Sequence, residues 1–245
     1  MQHKNFAERY DAVISEPRMQ SLYGASGYFN VGYWTRDTPD LRTACDALVD
    51  EMAAAIPRDA TTILDVGCGL GAGTLRLAQQ FPTSLVIGVN LSTWQLRAAR
   101  RRGVTAPVAM DAARLAIGSG RADAVLAIES AHLFDTRAAF LTEVRRVLRP
   151  GGTLALADIL FEDAETIGSW MVPQSNRITT AAAYAELLRD AGFTDVRLRD
   201  ITAVAWQPFC KALRTVFGGH QDSLRAIEAS VAQYILAFAR NPGVA

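Results

Sequence analysis

The segment Ile63-Leu-Asp-Val-Gly-Cys-Gly-Leu-Gly-Ala-Gly73 carries the sharpest chemical signal in the chain. Glycines let a chain turn tightly and let a ligand lie against its backbone. The free N–H groups opening the next helix favour a negative group there. Gly67, Gly69 and Ala72 satisfy the dinucleotide spacing G-x-G-x-x-G/A, which by itself is a weak signal. Asp65, two residues before the first glycine, would repel a pyrophosphate and suits an ammonium group. Asn90 stands where dinucleotide folds place an acid, and an aspartate, Asp111, follows the third apolar run. The second chemical segment is Ala127-Ile-Glu-Ser-Ala-His-Leu-Phe-Asp-Thr-Arg137. It holds His132, whose type ionises near neutrality and can accept a hydroxyl proton. That His132 only packs locally is the competing reading.

These residues must be positioned by alternating elements. Short apolar runs TTILDV, SLVIGV, APVAM, ADAVLAI and TLALADI read as strands; helices are expected over about 72–80, 92–102 and 137–148. Such alternation predicts βαβ units and a parallel sheet buried on both faces. Right-handed crossovers make it doubly wound, with ligands at the carboxyl edge. Asp40 is expected to cap a helix ending before Pro57. Beyond residue 160 a polar-aromatic segment, 161–177, fits no period. A helix over about 180–191 closed by Gly192, a strand TDVRLRDI, further helices and a last strand YILAFAR follow.

Composition narrows the classes. The 245 residues carry 25 basic and 25 acidic side chains, for a formal net charge of zero. That balance gives no electrostatic footprint for nucleic acid or anionic lipid, and the arginines at 97, 100, 101 and 102 read as a solvated helix end. Cys45, Cys68 and Cys210 lack metal-ligand spacing, so neither a disulfide nor a zinc site is expected. No window is apolar enough for a membrane span or signal peptide. A cytoplasmic protein, monomer or homodimer, with no membrane, nucleic-acid or metal partner is expected. No Tyr-x-x-x-Lys pair supports an NAD(P) oxidoreductase, and no Asn-Pro-Pro-Tyr motif supports a base-flipping enzyme.

Residues 60–160 resemble the class I methyltransferases that use S-adenosylmethionine (SAM), and the rest does so more loosely. LDVGCGLGAG is similar to their first motif, VIGVNLSTWQL to the segment after the second strand, and RRVLRPGG to the turn before the fifth. The resemblance implies a doubly wound, mostly parallel, seven-stranded Rossmann-like α/β sheet with helices on both faces. It implies one domain: an N-terminal helical lid (1–58), a SAM-binding core (59–159), and an acceptor cap with C-terminal strands (160–245). It places Asp65, Gly67, Gly69 and Gly71 at the methionine end of SAM, with Glu129. Asn90, Leu91 and Gln95 fall at the ribose, although the family usually has an acid at 90. Asp111 and Ala112 fall at the adenine. The aromatic run Tyr28–Trp34 resembles a segment closing the site, with Tyr33 and Trp34 near SAM and Phe29 in the core. Ala127–Arg137 resembles small-molecule O-methyltransferases of natural-product type. This implies His132 as general base with Asp158 as its acidic partner, and Tyr10, Tyr28, Trp170, Met171 and Trp206 as acceptor contacts. Methylation of a secondary-metabolite hydroxyl is the expected activity, with N- or C-methylation, or a SAM-binding cyclase that transfers no methyl group, as alternatives.

Overall fold

The computed structural model describes residues 2–168, 170–219 and 221–242. The expected strands form one sheet. They are β1 (Thr62–Val66), β2 (Leu85–Asn90), β3 (Ala106–Ala109), β4 (Ala122–Ile128), β5 (Leu148–Phe161), β6 (Thr194–Asp200) and β7 (Val231–Arg240). Their order is β3-β2-β1-β4-β5-β7-β6. The first five are parallel, and β7 runs antiparallel between β5 and β6. Two strands, β5 and β7, exceed their apolar cores. β5 starts five residues before TLALADI because Leu148 already pairs with Ala122, and β7 begins at Val231, opposite Phe161.

Alternating side chains feed two cores. Ile63, Leu126 and Ala155 point into one and Leu64, Val125 and Leu154 into the other, all fully buried. Helices cover both faces, which is why these strands read as continuous apolar runs. On the first face lie α3 (Leu41–Ala53), α4 (Ala72–Gln80), α8 (Trp206–Phe217) and α9 (Gln221–Ala229); on the second, α6 (Arg137–Val147) and α7 (Ala181–Asp190). Side-chain caps set several starts: Asp40 accepts from the Thr43 N–H, Thr136 from Ala139 and Thr180 from Ala183. Ser92 does the same for α5 (Thr93–Arg102), which ends in three arginines before a left-handed Gly103. Ahead of the sheet run α1 (Gln2–Ile14) and α2 (Pro17–Tyr23).

The chain runs from β1 outward to β3 and then returns to β4 on the other side. The carboxyl ends of β1 and β4 therefore diverge, and this switch point is where a crevice must open.

Candidate active site

A cavity of about 540 Å³ lies at that switch point. Its floor is the carboxyl ends of four strands: Val66 and Gly67 at the end of β1, Val89 and Asn90 of β2, Met110 and Asp111 after β3, and Ile128 and Glu129 at the end of β4. Its cover comes from sequence-distant parts. α1 lays Phe6, Tyr10 and Ile14 across it, and the segment after β5 adds Trp170 and Pro173. Phe6 packs on both Tyr10 and Trp170, and the Arg9 guanidinium stacks 4.1 Å over the Trp170 ring.

The glycine loop divides its labour. Gly67 has φ +83°, and an added Cβ would lie 2.4 Å from the Ser130 Cβ, so the loop can approach the end of β4 only as glycine. At Gly69, φ +54°, an added Cβ would point into open space, its nearest neighbour the Gln95 Oε1 at 4.0 Å. That backbone is the exposed cradle. Gly71 is off the cavity wall: its φ is +90° and an added Cβ would meet Ala99 Cβ at 2.7 Å and Val104 Cγ2 at 2.8 Å. It serves the close packing of α5 against the loop.

Two carboxylates near the glycine loop share one peculiarity. Asp65 is buried behind the loop and, among the described residues, accepts only the Thr74 hydroxyl at 2.6 Å; burial pushes its pKa up to about 6. Glu129 stands on the wall with its backbone in the left-handed region, φ 50°, a strained state for a non-glycine residue. Its Oε1 accepts both the Val31 N–H and the Tyr234 hydroxyl at 2.7 Å. Burial raises its pKa to about 7 despite those bonds. Among the described residues neither carboxylate has an ion-pair partner. A pocket with one unpaired carboxylate on its wall and another behind its glycine loop fits a cationic ligand, and SAM carries both a sulfonium and an ammonium. It does not fit a pyrophosphate.

At the β2 end, Asn90 and Gln95 are bonded to each other, Nδ2 to Oε1 at 2.9 Å. Leu91 lines the cavity beside them, and Asp111 and Ala112 line it at the next strand. Asp111 Oδ1 accepts the Ala113 N–H at 2.9 Å, which shapes that turn.

The structure brings His132 and Asp158 together across 26 residues of sequence. His132 Nδ1 and its backbone N–H reach Asp158 Oδ1 at 2.7 and 3.2 Å. Oδ2 accepts from Arg137 Nε at 3.0 Å and the Tyr184 hydroxyl at 2.9 Å. Burial alone would raise the Asp158 pKa, but the Arg137 charge and the His132 bond hold it at about 2. An ionised carboxylate only accepts, so Nδ1 carries a proton and Nε2 is left as the acceptor of the neutral ring. The His132 ring packs on Phe161 and is absent from the cavity wall, where its neighbours Ser130 and Leu133 stand. Arg137, Tyr184 and Asn176, which bonds the carbonyls of His132 and Phe134, escaped the sequence reading. They lie 21 to 44 residues in sequence from the partners they bond, where no local pattern links them.

Other expected contacts are placed away from the wall. Tyr33 lies under Arg199, and Trp34 Nε1 donates to the Val31 carbonyl. Phe29, expected in the core, packs against the first core and also lines the cavity, where it meets the ring of Tyr10 edge-on. Tyr28 is buried with its hydroxyl on Asp46, and Trp206 is buried with Nε1 on the Glu228 carbonyl. Met171 packs against the first core. Of the expected acceptor contacts, Tyr10 and Trp170 reach the cavity. No helix among the described residues is long and apolar enough to cross a membrane, and no cluster of three metal-ligating side chains occurs among them.

Residues 64–156 match the model of a methyltransferase domain family. The chain is 30% identical to the 27-O-demethylrifamycin SV methyltransferase of Amycolatopsis mediterranei, over 96% of this chain and 92% of that protein. It is 28% identical to the erythromycin 3''-O-methyltransferase of Saccharopolyspora erythraea, over 88% and 84%. Among solved structures, the [4+2]-cyclase SpnF superposes with a TM-score of 0.79 at 24% identity, covering 99% of this chain and 97% of that one. That likeness is one of fold. The glycine cradle and the two uncompensated carboxylates fit SAM, and the relatives agree along nearly the whole chain: the protein belongs to the class I SAM-dependent methyltransferases.

Proposed function

We propose that this enzyme methylates a hydroxyl of a small, partly apolar molecule, with His132 as the general base and Asp158 as the group that orients it. The observation that carries this reading is the buried His132–Asp158 pair. It leaves the other imidazole nitrogen, behind the cavity wall, without a hydrogen-bond partner among the described residues and able to accept a proton. Hydrogen bonds of a catalytic base are commonly long before substrate binds, so the ring's place behind the wall is compatible with the role. The similarity to O-methyltransferases of rifamycin and erythromycin compounds supports oxygen as the acceptor atom.

Bound SAM supplies a methyl group already activated by its sulfonium, so alignment of the acceptor provides much of the acceleration. The residues of this chain would divide the work as follows. Gly67 and Gly69 take the methionine backbone, and Asp65 and Glu129 balance its ammonium. Asn90, Leu91 and Gln95 face the ribose, and Asp111 and Ala112 the adenine. Tyr10, Trp170 and Phe29 offer aromatic faces to the acceptor. Residues 1–58 act as lid, 59–159 as donor core and 160–245 as acceptor cover of a single domain.

The test is turnover with a panel of hydroxylated, aminated and carbon-nucleophile acceptors, read as S-adenosylhomocysteine and methylated product by mass. His132→Ala is expected to bind SAM normally and to lose at least ~100-fold in kcat. Full turnover by this variant overturns the base assignment. Products formed without S-adenosylhomocysteine would instead favour the cyclase reading, which the SpnF fold accommodates.

A further inference from the structure

The carboxylate of Asp11 makes contacts that none of the assigned roles explains. It sits on α1, more than 80 residues from the start of α5 that it touches. Oδ1 accepts from Gln95 Nε2 at 2.6 Å and Oδ2 from the Ser92 hydroxyl at 2.7 Å. Among the described residues these are the only side-chain hydrogen bonds from α1 to the donor half of the site.

Their consequence follows from donor and acceptor chemistry. A carboxylate only accepts, so the Gln95 NH₂ must turn toward Asp11. Gln95 Oε1 then faces the other way and takes the Asn90 Nδ2–H at 2.9 Å. That in turn directs Asn90 Oδ1 to the Ser92 N–H at 2.9 Å. Without Asp11 each amide could rotate by half a turn and present NH₂ where it now presents oxygen. With Asp11 in place, both carbonyl oxygens keep a lone pair beyond their internal bonds, on side chains that line the cavity. Gln95 Oε1 is also the atom nearest the Gly69 cradle. A wall of two acceptor oxygens complements a ligand with two adjacent hydroxyl donors, such as a ribose diol.

We propose that Asp11 is a positioning residue for the methyl donor: from α1 it sets the amides of Gln95 and Asn90 so that their oxygens receive the ribose hydroxyls. The helix that covers the cavity thereby supplies the negative charge absent at position 90. The inference rests on the assignment of this cavity to SAM and adds a residue to it.

The test compares two ligands by calorimetric titration of the full chain: S-adenosylhomocysteine and its 2′,3′-dideoxy counterpart. Wild type is set beside Asp11→Asn and Asp11→Ala, with thermal denaturation to confirm folding. Asp11 is partly exposed, so both variants are expected to fold. Each is expected to weaken S-adenosylhomocysteine by about tenfold, the scale of one hydrogen bond to a charged group. The dideoxy ligand, lacking the diol, is expected to bind wild type and variants alike. Equal weakening of both ligands would assign Asp11 only to the packing of α1, and unchanged binding would remove it from the site; either overturns the proposal. Failure of wild type to bind S-adenosylhomocysteine would instead overturn the cavity assignment itself.

Discussion

Glu129→Gln separates stability from donor binding and puts the charge argument at risk. The substitution keeps the shape, and its carbonyl still accepts the Val31 and Tyr234 bonds. What it removes is a buried negative charge. In the folded protein Glu129 ionises at about 7, against an ordinary 4.5. The native state thus holds this proton where the unfolded chain has released it, so wild-type stability falls as pH rises from 4.5 through 7. At about 1.4 kcal/mol for each tenfold change in proton affinity, the ceiling is about 3 kcal/mol. Glu129 is only partly buried on its cavity side, which reduces the figure to roughly 1–2 kcal/mol. For a chain of this length that corresponds to a gain of about 2–8 °C in Tm for the variant at pH 8. Below pH 4 Glu129 is neutral in both the folded and the unfolded wild type, and the two proteins are expected to melt together. With SAM the order reverses, because the ligand's positive charge offsets that of Glu129 only in wild type. The variant is expected to bind SAM about tenfold more weakly or worse at pH 8. Thermal denaturation at pH 4 and pH 8, with and without SAM, reads all four quantities. A variant less stable than wild type at both pH values, or equal to it in SAM affinity at pH 8, would refute the idea that this carboxylate awaits a cation.

Two further predictions concern the scaffold. Gly71→Ala puts a Cβ within 2.8 Å of Ala99 and Val104 at a φ of +90°; a loss of about 2–4 kcal/mol by denaturant titration is expected from strain and overpacking, and a neutral result would show that α5 can withdraw from the loop. Asp158→Asn leaves the fully buried Arg137 without its counter-charge and should cost about 3–5 kcal/mol at pH 7. In wild type that contribution is present above pH 4 and is lost as acid passes the folded pKa of about 2, so the gap between variant and wild type should narrow in acid unfolding.

What the sequence alone determined is what local rules govern. Apolar runs of strand length separated by helical patterns required a parallel sheet covered on both faces, and Asp40 announced its helix because a cap is a contact three residues long. The glycine loop was legible because φ +83° and +54° demand glycine whatever lies elsewhere. The resemblance to known methyltransferases also implied the pairing of His132 with Asp158, whose side chains the fold brings to 2.7 Å. Only the tertiary structure decided which aromatic faces the ligand. Phe29 reaches the cavity while Tyr33 and Trp34 do not, and nothing in an irregular aromatic run distinguishes them until α3 and β6 take up their sides. The same holds for Arg137, Tyr184 and Asp11. A buried charge becomes tolerable only against a particular partner, and those partners arrive from α6, α7 and α1 through packing of the whole chain, at separations where sequence spacing carries no geometric information.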